Sequence, residues 1–287
     1  LIQGIGGEGL NAFTAYDVTC YMNSFPSYQM ERWLTLYADR LTNPVFRSFQ
    51  AELENVFEEY NMYLDDNSTH TRNFIFGKLY EGHAYARDII GYPEDLKNPK
   101  MRQLIDFYNT WYVPNNMALI LVGDFDTEAA KPLIEKTFGK LQARPLPQRT
   151  QYPTTAFSQD ERYSAKLGYM PELYIAYNGV PVGDKDELLL DFLGEILSNS
   201  MQIGLLDELT LDNKLMYAGA ANDVRRDQGR FLVIAVPYMD AETQTYTSLK
   251  ETEKLVNEAI QQLVNGDISE ELVEAVRQNF YQEFDRT

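Results

Sequence analysis

The sequence predicts a chain of mixed strands and helices that is divided into two units. A length of 287 residues is typical of two domains. Segments with the periodicity of strands and segments with the periodicity of helices follow one another along the whole chain. The stretch 142–160 is rich in Pro, Ser, Thr and Gln and is the best candidate for a linker. We therefore expect one unit at 1–150 and another at 151–287.

The first unit is expected to begin with two strands, at 11–16 and 18–25, on either side of a turn at Asp17. A short apolar segment at 117–122 predicts a buried strand, which ends at Gly123. The remaining periodic segments predict helices at 28–41, 46–65, 67–79, 100–111 and 127–138.

The second unit is expected to contain two single strands and a hairpin around 227–229. The strands are predicted at 163–167, 173–178, 217–225 and 230–238. Helices are predicted at 186–197, 203–211, 243–264 and 269–284. Ser269 is the predicted N-cap of the last helix, because a serine oxygen at that position accepts a hydrogen bond from the first turn.

The order strand, helix, break, helix at 18–65 recurs at 230–284 and indicates an internal repeat. Without gaps, Glu52 aligns with Glu271 and Glu59 aligns with Gln278. If the units are duplicates, the first lacks an opening strand and helix. We therefore expect the first unit to be truncated at its N-terminus.

The chain is acidic, with 43 Asp and Glu residues against 25 Lys and Arg residues. It shows no cluster of basic residues of the kind that nucleic acids or anionic membranes require. The excess of acid favours solubility, and attraction of basic substrates is the alternative. No apolar run is long enough to cross a bilayer. Cys20 is the single cysteine, so an internal disulfide is excluded.

The helix predicted at 46–65 carries four carboxylates, and Glu52 and Glu59 lie two turns apart on one face. From the residues alone, a solvated acidic helix is the simpler interpretation, and a site for a cation is the alternative. In the alignment of the two repeats, Glu59 corresponds to Gln278, whose side-chain amide is a poor metal ligand. That difference suits one active unit and one inactive unit.

The two histidines do not complete a catalytic site. His70 and His83 lie in neither an H-x-x-E-H nor an H-E-x-x-H motif. We expect His70 to be exposed and His83 to be hydrogen-bonded to backbone. The glycine-rich segment 4–9 is not followed by a helix, so it does not predict a phosphate site.

Several segments taken together resemble the pitrilysin/insulinase-type zinc metallopeptidases. The resemblance covers essentially the whole chain in order, and its most specific part is Tyr112-Val113-Pro114-Asn115-Asn116-Met117 leading to Val122-Gly123-Asp124. The other matching segments are Gly6-Gly7-Glu8-Gly9-Leu10-Asn11-Ala12-Phe13-Thr14, the glutamate helix around 52–59, the loop from His83 to Gly91, and 204–217.

The resemblance implies an α+β fold of two homologous units, each a mostly antiparallel sheet with helices packed on one face. It implies zinc bound by two histidines of an H-x-x-E-H motif and by Glu59, with Glu52 as a companion carboxylate that supports the site. Asn11 and Ala12 would lie on a strand that pairs with a peptide substrate. The parent enzyme would be an endopeptidase that encloses peptides in a chamber, closed by a second half or a partner subunit. It would be extracytoplasmic in a bacterium.

The chain departs from the family pattern at the motif itself, because it contains no H-x-x-E-H segment. One carboxylate does not make a zinc site, so we expect this chain alone to be inactive and to lack zinc. Gly204 and Thr210 stand where the family often has Arg. Compared with the family, the second unit is also expected to end before its last elements. The alternative is a non-catalytic family member that acts as a scaffold or binds peptides.

Overall fold

The computed structural model describes residues 1–153 and 155–286, with side chains up to Gln282. The chain forms two compact units. The first consists of Leu1–Asp66 and Arg87–Gln151, and the second of Asn67–Ala86 and the described residues from Tyr152 onward. The compact units change at 66/67, 86/87 and 151/152, and the division into homologous copies at 1–150 and 151–287 stays a prediction.

Helices and strands alternate in groups along the chain, and the α+β class is confirmed. The strands are β1 Glu8–Thr14, β2 Thr19–Ser24, β3 Leu173–Asn178, β4 Leu215–Asp223 and β5 Arg230–Pro237. The helices of the first half are α1 Met30–Thr42, α2 Phe49–Leu64, α3 Asn67–Leu79, α4 Pro93–Lys97, α5 Met101–Trp111 and α6 Thr127–Thr137. Those of the second half are α7 Glu187–Leu197, α8 Leu205–Leu211, α9 Leu249–Asn265 and α10 Glu270–Arg286.

The first unit is built around the β1–β2 hairpin and α1. The two strands are antiparallel, with Ala12 opposite Tyr21. One face of the hairpin meets α1, where Asn23 Oδ1 accepts hydrogen bonds from the Trp33 indole and the Tyr37 hydroxyl. Phe25, Trp33 and Tyr37 stack, at 4.8 Å and 4.3 Å between successive ring centroids. These contacts fix α1 against β2 and form the centre of the first core.

The second unit is built on a three-stranded antiparallel sheet in the order β3-β5-β4. Alternate residues of β5, namely Phe231, Val233 and Ala235, are buried in the core. Because side chains alternate between the faces of a strand, these three point to the same side of the sheet. Strand β4 adds Leu215 and Ala218, and helices α7 to α10 contribute further core residues, which include Ile196, Leu197, Leu206, Val256, Leu272 and Val276. The helices therefore cover this face.

Two predicted strands are absent from the structure. The segments 117–122 and 163–167 have no assigned secondary structure. In the first of these, Ile120 and Val122 are 79% and 93% exposed, while Leu121 packs against the first core. A strand exists through hydrogen bonds to a neighbour, and no described strand pairs with either segment.

Side-chain hydrogen bonds cap the N-termini of α6 and α10. The Asp126 carboxylate accepts a hydrogen bond from Ala129 N–H at 2.8 Å and begins α6. The predicted cap at Ser269 is confirmed, since its hydroxyl accepts a hydrogen bond from Leu272 N–H at 3.1 Å. No helix within the described part of the chain is both long enough and apolar enough to cross a membrane.

Candidate functional site

The carboxylates proposed from the sequence lie along α2, a helix with no buried residue. Glu52 falls in the first turn, where a negative charge is favoured by the unpaired N–H groups of a helix N-terminus. Glu59 follows two turns later on the same side. Both side chains are exposed to solvent, so they are available to a ligand.

Hydrogen bonding distinguishes the two carboxylates. Glu59 Oε1 accepts a hydrogen bond from the hydroxyl of Tyr63 at 3.1 Å. Glu52 Oε2 lies 3.5 Å from the side-chain amide of Asn55, a distance at which a hydrogen bond is weak. Glu59 is therefore the better oriented of the two. Tyr63 was not among the residues singled out from the sequence, although its spacing of four residues from Glu59 is the signal that finds it.

A zinc ion requires more ligands than these residues supply. Zinc in proteins takes three or four ligands from histidine, cysteine and carboxylate side chains. Among the described side chains, those of residues 1–153 and 155–282, no group of three such side chains lies close enough to hold a metal ion. The carboxylate of Glu59 suits the chemistry of one zinc ligand, but the described residues do not fit a complete zinc site.

Asn11 and Ala12 lie on β1, whose seven residues are all exposed. The hairpin contains no described strand beyond β1 and β2, so one edge of β1 carries unpaired backbone groups. The Asn11 side chain accepts a hydrogen bond from Ala12 N–H at 2.9 Å. The edge is accessible to an extended peptide, which would compete with this local contact.

The two histidines lie in different surroundings. His83 is 5% exposed, its Nδ1 accepts a hydrogen bond from Tyr85 N–H at 3.1 Å, and its Nε2 lies 3.6 Å from Asp227. The expectation that His83 binds backbone is confirmed. His70 is half-buried on α3 rather than exposed, so that expectation was wrong.

Close backbone packing explains why position 204 is a glycine. A Cβ at Gly204 would lie 2.5 Å from the carbonyl oxygen of Leu197, closer than packed atoms approach. The backbone N–H of Gly204 also donates a hydrogen bond to Asp207 at 2.8 Å. The backbone at this position is therefore too close to Leu197 to admit an arginine side chain.

A buried basic cluster in the second unit was missed by the sequence reasoning. Arg225 and Arg230 are 7% and 1% exposed. The guanidinium of Arg225 bonds Asp223 at 2.8 Å and lies over the ring of Tyr80 at 4.5 Å. The guanidinium of Arg230 lies 5.0 Å from the centre of the same ring. The cluster joins the loop that follows α3 to the β4–β5 hairpin.

Comparison with known proteins gives the family. A family model described as "Peptidase M16 inactive domain" matches residues 100–280. The zinc protease PqqE of Helicobacter pylori is 24% identical over 246 residues, which are 82% of this chain and 54% of that protein. The probable zinc protease PqqL of Escherichia coli is 30% identical over 158 residues, which are 52% of this chain and 17% of that protein. The chain thus spans about half of PqqE and less of PqqL.

Solved structures share the fold. A protease from Helicobacter pylori superposes with a TM-score of 0.84 and 21% identity, covering 99% of this chain and 69% of that one. The periplasmic protease PqqL of Escherichia coli gives a TM-score of 0.74 and 20% identity, covering 99% of this chain and 32% of that one. The family match extends over more than half of the sequence. The chain therefore belongs to the pitrilysin/insulinase-like M16 peptidase family.

Proposed function

We propose that this chain belongs to a zinc-dependent endopeptidase and supplies Glu59 as one ligand of the metal. The observation that carries the proposal is the state of Glu59. Its carboxylate is exposed, is oriented by a single hydrogen bond, and takes part in no ion pair among the described residues. Relatives of the chain are named zinc proteases, which supports zinc as the metal.

The remaining ligands would come from residues outside these 287. Two histidines and a general base are still needed, because one carboxylate does not hold zinc. The relatives are longer than this chain, which supports further sequence in the parent protein. Glu52 would not bind the metal itself but would support the residues that do. This chain by itself is then inactive.

The substrate would be a peptide or a small unfolded protein. The open edge of β1, at Asn11 and Ala12, is suited to pair with the backbone of an extended chain. Backbone pairing depends little on side chains, so broad sequence tolerance is expected. A second half of the enzyme or a partner subunit would close the chamber around the peptide. PqqL is a periplasmic protein, which supports an extracytoplasmic location.

The two units would be homologous copies, with 1–150 as the metal-binding copy and 151–287 as the inactive copy. In that alignment Glu59 corresponds to Gln278. The side chain of Gln278 donates a hydrogen bond to Glu274 at 2.9 Å, so it is engaged in a local contact on its own helix. An amide in this position would leave the second copy without its metal ligand.

A non-catalytic family member that acts as a scaffold or binds peptides is the second candidate. It is favoured by the absence of a group of three metal-binding side chains in the described part of the chain. It is also favoured by the inactive-domain description of the matching family. The first candidate requires Glu59 for zinc binding and peptide cleavage in the parent protein, whereas the second candidate does not.

The test is to express the parent open reading frame, extended beyond this chain, and to measure zinc content and peptide cleavage. The variant is Glu59→Gln, and the control is Glu58→Gln, a neighbouring exposed carboxylate on the same helix. We expect Glu59→Gln to abolish stoichiometric zinc and to reduce cleavage at least a hundredfold, while Glu58→Gln retains both. Equal zinc content in the two variants would refute the ligand role. A parent that binds no zinc would favour the scaffold.

A further inference from the structure

We infer that Arg40 and the tyrosines around it form a binding site for a carboxylate group of a bound peptide. Arg40 lies in the last turn of α1, within the first unit. Its guanidinium carbon lies 4.8 Å from the ring centre of Tyr21 on β2 and 5.5 Å from that of Tyr37. The choice of a carboxylate rests on this geometry, whereas the choice of a peptide rests on the proposed function.

Arg40 has no carboxylate partner within the described part of this acidic chain. Its side chain is exposed to solvent, and it forms neither an ion pair nor a hydrogen bond with a described residue. Other exposed arginines, such as Arg87 and Arg162, each bond a carboxylate at 2.7 Å. The last turn of a helix favours a positive charge, which accounts for a cation at position 40 but not for its two aromatic neighbours. The five N–H groups of the guanidinium are therefore available to a ligand.

Aromatic rings hold the guanidinium in place. A cation within about 6 Å of a ring centre is attracted to the face of the ring, and both distances meet this criterion. Tyr37 is itself fixed, because its hydroxyl donates to Asn23 Oδ1 at 2.6 Å and its ring stacks on Trp33 at 4.3 Å. A free arginine side chain samples many rotamers, which a ligand would have to restrict. Arg40 is therefore preorganised, whereas Arg32, exposed on the same helix, has no ring contact among the described residues.

The tyrosine hydroxyls supply a further donor beside the cation. The hydroxyls of Tyr21 and Tyr112 lie 2.7 Å apart. One donates to the other, so the accepting hydroxyl keeps its own proton for a further acceptor. Burial and this hydrogen bond raise the pKa of Tyr112, and the nearby charge of Arg40 only partly opposes the rise, so Tyr112 stays protonated at neutral pH. The hydroxyl of Tyr108, whose ring stacks on Tyr112 at 4.6 Å, already donates to the carbonyl oxygen of Leu41 at 3.0 Å.

A cation and a free phenolic proton predict a ligand with negatively charged oxygen atoms. The planar guanidinium presents parallel N–H groups that match the two oxygens of a carboxylate or those of a phosphate. A phosphate group carries about two negative charges, whereas Arg40 is the one cation that contacts these rings among the described residues. A single carboxylate therefore matches the charge of the site.

The position of the site relative to β1 favours a peptide as the carrier of that carboxylate. Tyr21 lies directly opposite Ala12, so the two side chains point to the same face of the hairpin. A peptide residue paired opposite Ala12 would point to that face as well. Two strand spacings, about 10 Å, separate such a peptide from β2, and the long side chains of glutamate and arginine can span this distance together. Ala12 is exposed, and its methyl group leaves the path open.

Peptide binding to the whole 287-residue chain tests the inference. Two fluorescent peptides with blocked ends are compared, both made of Thr and Val, which favour an extended backbone, with one central Glu or one central Gln. Arg40→Gln removes the guanidinium, and Arg40→Lys keeps the charge but not the planar fork. Arg32→Gln removes the same charge from another exposed position of α1 and is the control. Salt at about 0.15 M screens the general negative charge of the chain beyond about 8 Å.

We expect the unaltered chain to bind the Glu peptide about tenfold more tightly than the Gln peptide, as one charge-assisted contact at an exposed site would give. Arg40→Gln should reduce this ratio to about one and Arg40→Lys to about three, while Arg32→Gln should leave it unchanged. A ratio that survives in Arg40→Gln, or that is already about one in the unaltered chain, contradicts binding of a peptide carboxylate.

A second measurement needs no peptide. NMR follows the Nε–H signals of the arginines while acetate replaces chloride at constant ionic strength, and the Arg40 signal is the one missing from Arg40→Gln. We expect this signal to shift saturably and the Arg32 signal not to do so. If acetate does not distinguish the two arginines, the site is refuted. If acetate binds Arg40 but both peptides bind alike, the carboxylate site stands and its assignment to a peptide at β1 fails. Neither measurement involves zinc, so the result is independent of the test at Glu59.

Discussion

Arg230 is a buried cation that is held almost entirely by backbone oxygens. Its Nη2 atom donates to the carbonyl oxygen of Leu79 at 2.8 Å and to that of Thr155 at 2.6 Å. Its Nη1 atom donates to the carbonyl oxygen of Gly229 at 3.1 Å, and the guanidinium lies 4.5 Å from the ring centre of Phe157. Burial lowers the pKa of Arg230, but a guanidinium is so strong a base that it remains charged.

Replacing Arg230 by lysine should destabilise the second unit by about 2–4 kcal/mol. A lysine ammonium cannot reach oxygens on several sides at once, nor stack as a flat group on an aromatic ring. The control is Arg226→Lys, whose half-exposed side chain pairs with Asp227 at 2.9 Å and should change stability by less than about 0.5 kcal/mol. Urea unfolding followed by circular dichroism measures both. Equal decreases in the free energy of unfolding for the two variants would show that the buried guanidinium of Arg230 does not stabilise the second unit.

Contacts of single residues could be predicted when the two partners are close together in the sequence. His83 bonds the backbone two residues away, and that contact was predicted from its place in a loop. Tyr63 lies four residues from Glu59, so helical spacing could have found it. Arg230 could not be found in this way, because its partners Leu79 and Thr155 are far from it in sequence and meet it only in the folded unit.

For whole elements, the long helices and the strands of the β3-β5-β4 sheet were predictable, whereas the strands expected at 117–122 and 163–167 did not form. The helices α1, α2, α6 and α9 all lie within or close to their predicted ranges. Helical hydrogen bonds form within the segment itself, so local sequence determines them. The segments 117–122 and 163–167 were predicted as strands from their local sequence. A strand forms, however, only where a neighbouring strand supplies its hydrogen-bonding partners. That requirement is not visible in the sequence of the segment.

The junction between β3 and β5 depends on glycine. A Cβ at Gly179 would lie 2.7 Å from the backbone nitrogen of Arg230. We expect Gly179→Ala to destabilise the second unit by about 1–3 kcal/mol, because two backbones must move apart. Gly168→Ala is the control, since a Cβ there meets nothing within 4 Å and should be nearly neutral. Thermal unfolding compares the two variants, and similar midpoints would mean that the junction adjusts freely.

At the scale of the whole molecule, the compact units are discontinuous in sequence, because 67–86 belongs with the second unit. The third change of unit, between Gln151 and Tyr152, falls inside the linker that composition predicts. Composition gave no reason to assign 67–86 to the second unit, because α3 follows α2 after only two residues. The assignment comes from long-range contacts, such as the hydrogen bond from Tyr80 to Asp223 at 3.1 Å. Burial and the nearby Asp223 carboxylate raise the pKa of Tyr80, so it stays a donor.

Because 67–86 belongs to the second compact unit, we expect α3 and the loop 80–86 to unfold together with the β4–β5 hairpin. The hairpin holds this segment through Arg230 at Leu79, and through Asp227 N–H, which donates to the Tyr85 hydroxyl at 3.1 Å. Arg230→Lys should therefore speed amide hydrogen exchange in 67–86 as much as in the hairpin, by tenfold or more, on the order expected for loss of a buried cluster. Helix α1 should be unaffected.

Mass spectrometry of peptides from native protein resolves these regions, with Arg226→Lys as the control that should leave all of them unchanged. Cooperative units exchange at a common rate because they open in one event. Faster exchange in the hairpin alone would mean that 67–86 is held by other contacts. Faster exchange in 67–86 and α1 together would instead assign the segment to the first unit. The expected pattern of exchange would show that 67–86 and the hairpin open together although they are far apart in sequence. The stability of the second unit would then depend on the buried Arg230 rather than on the linker.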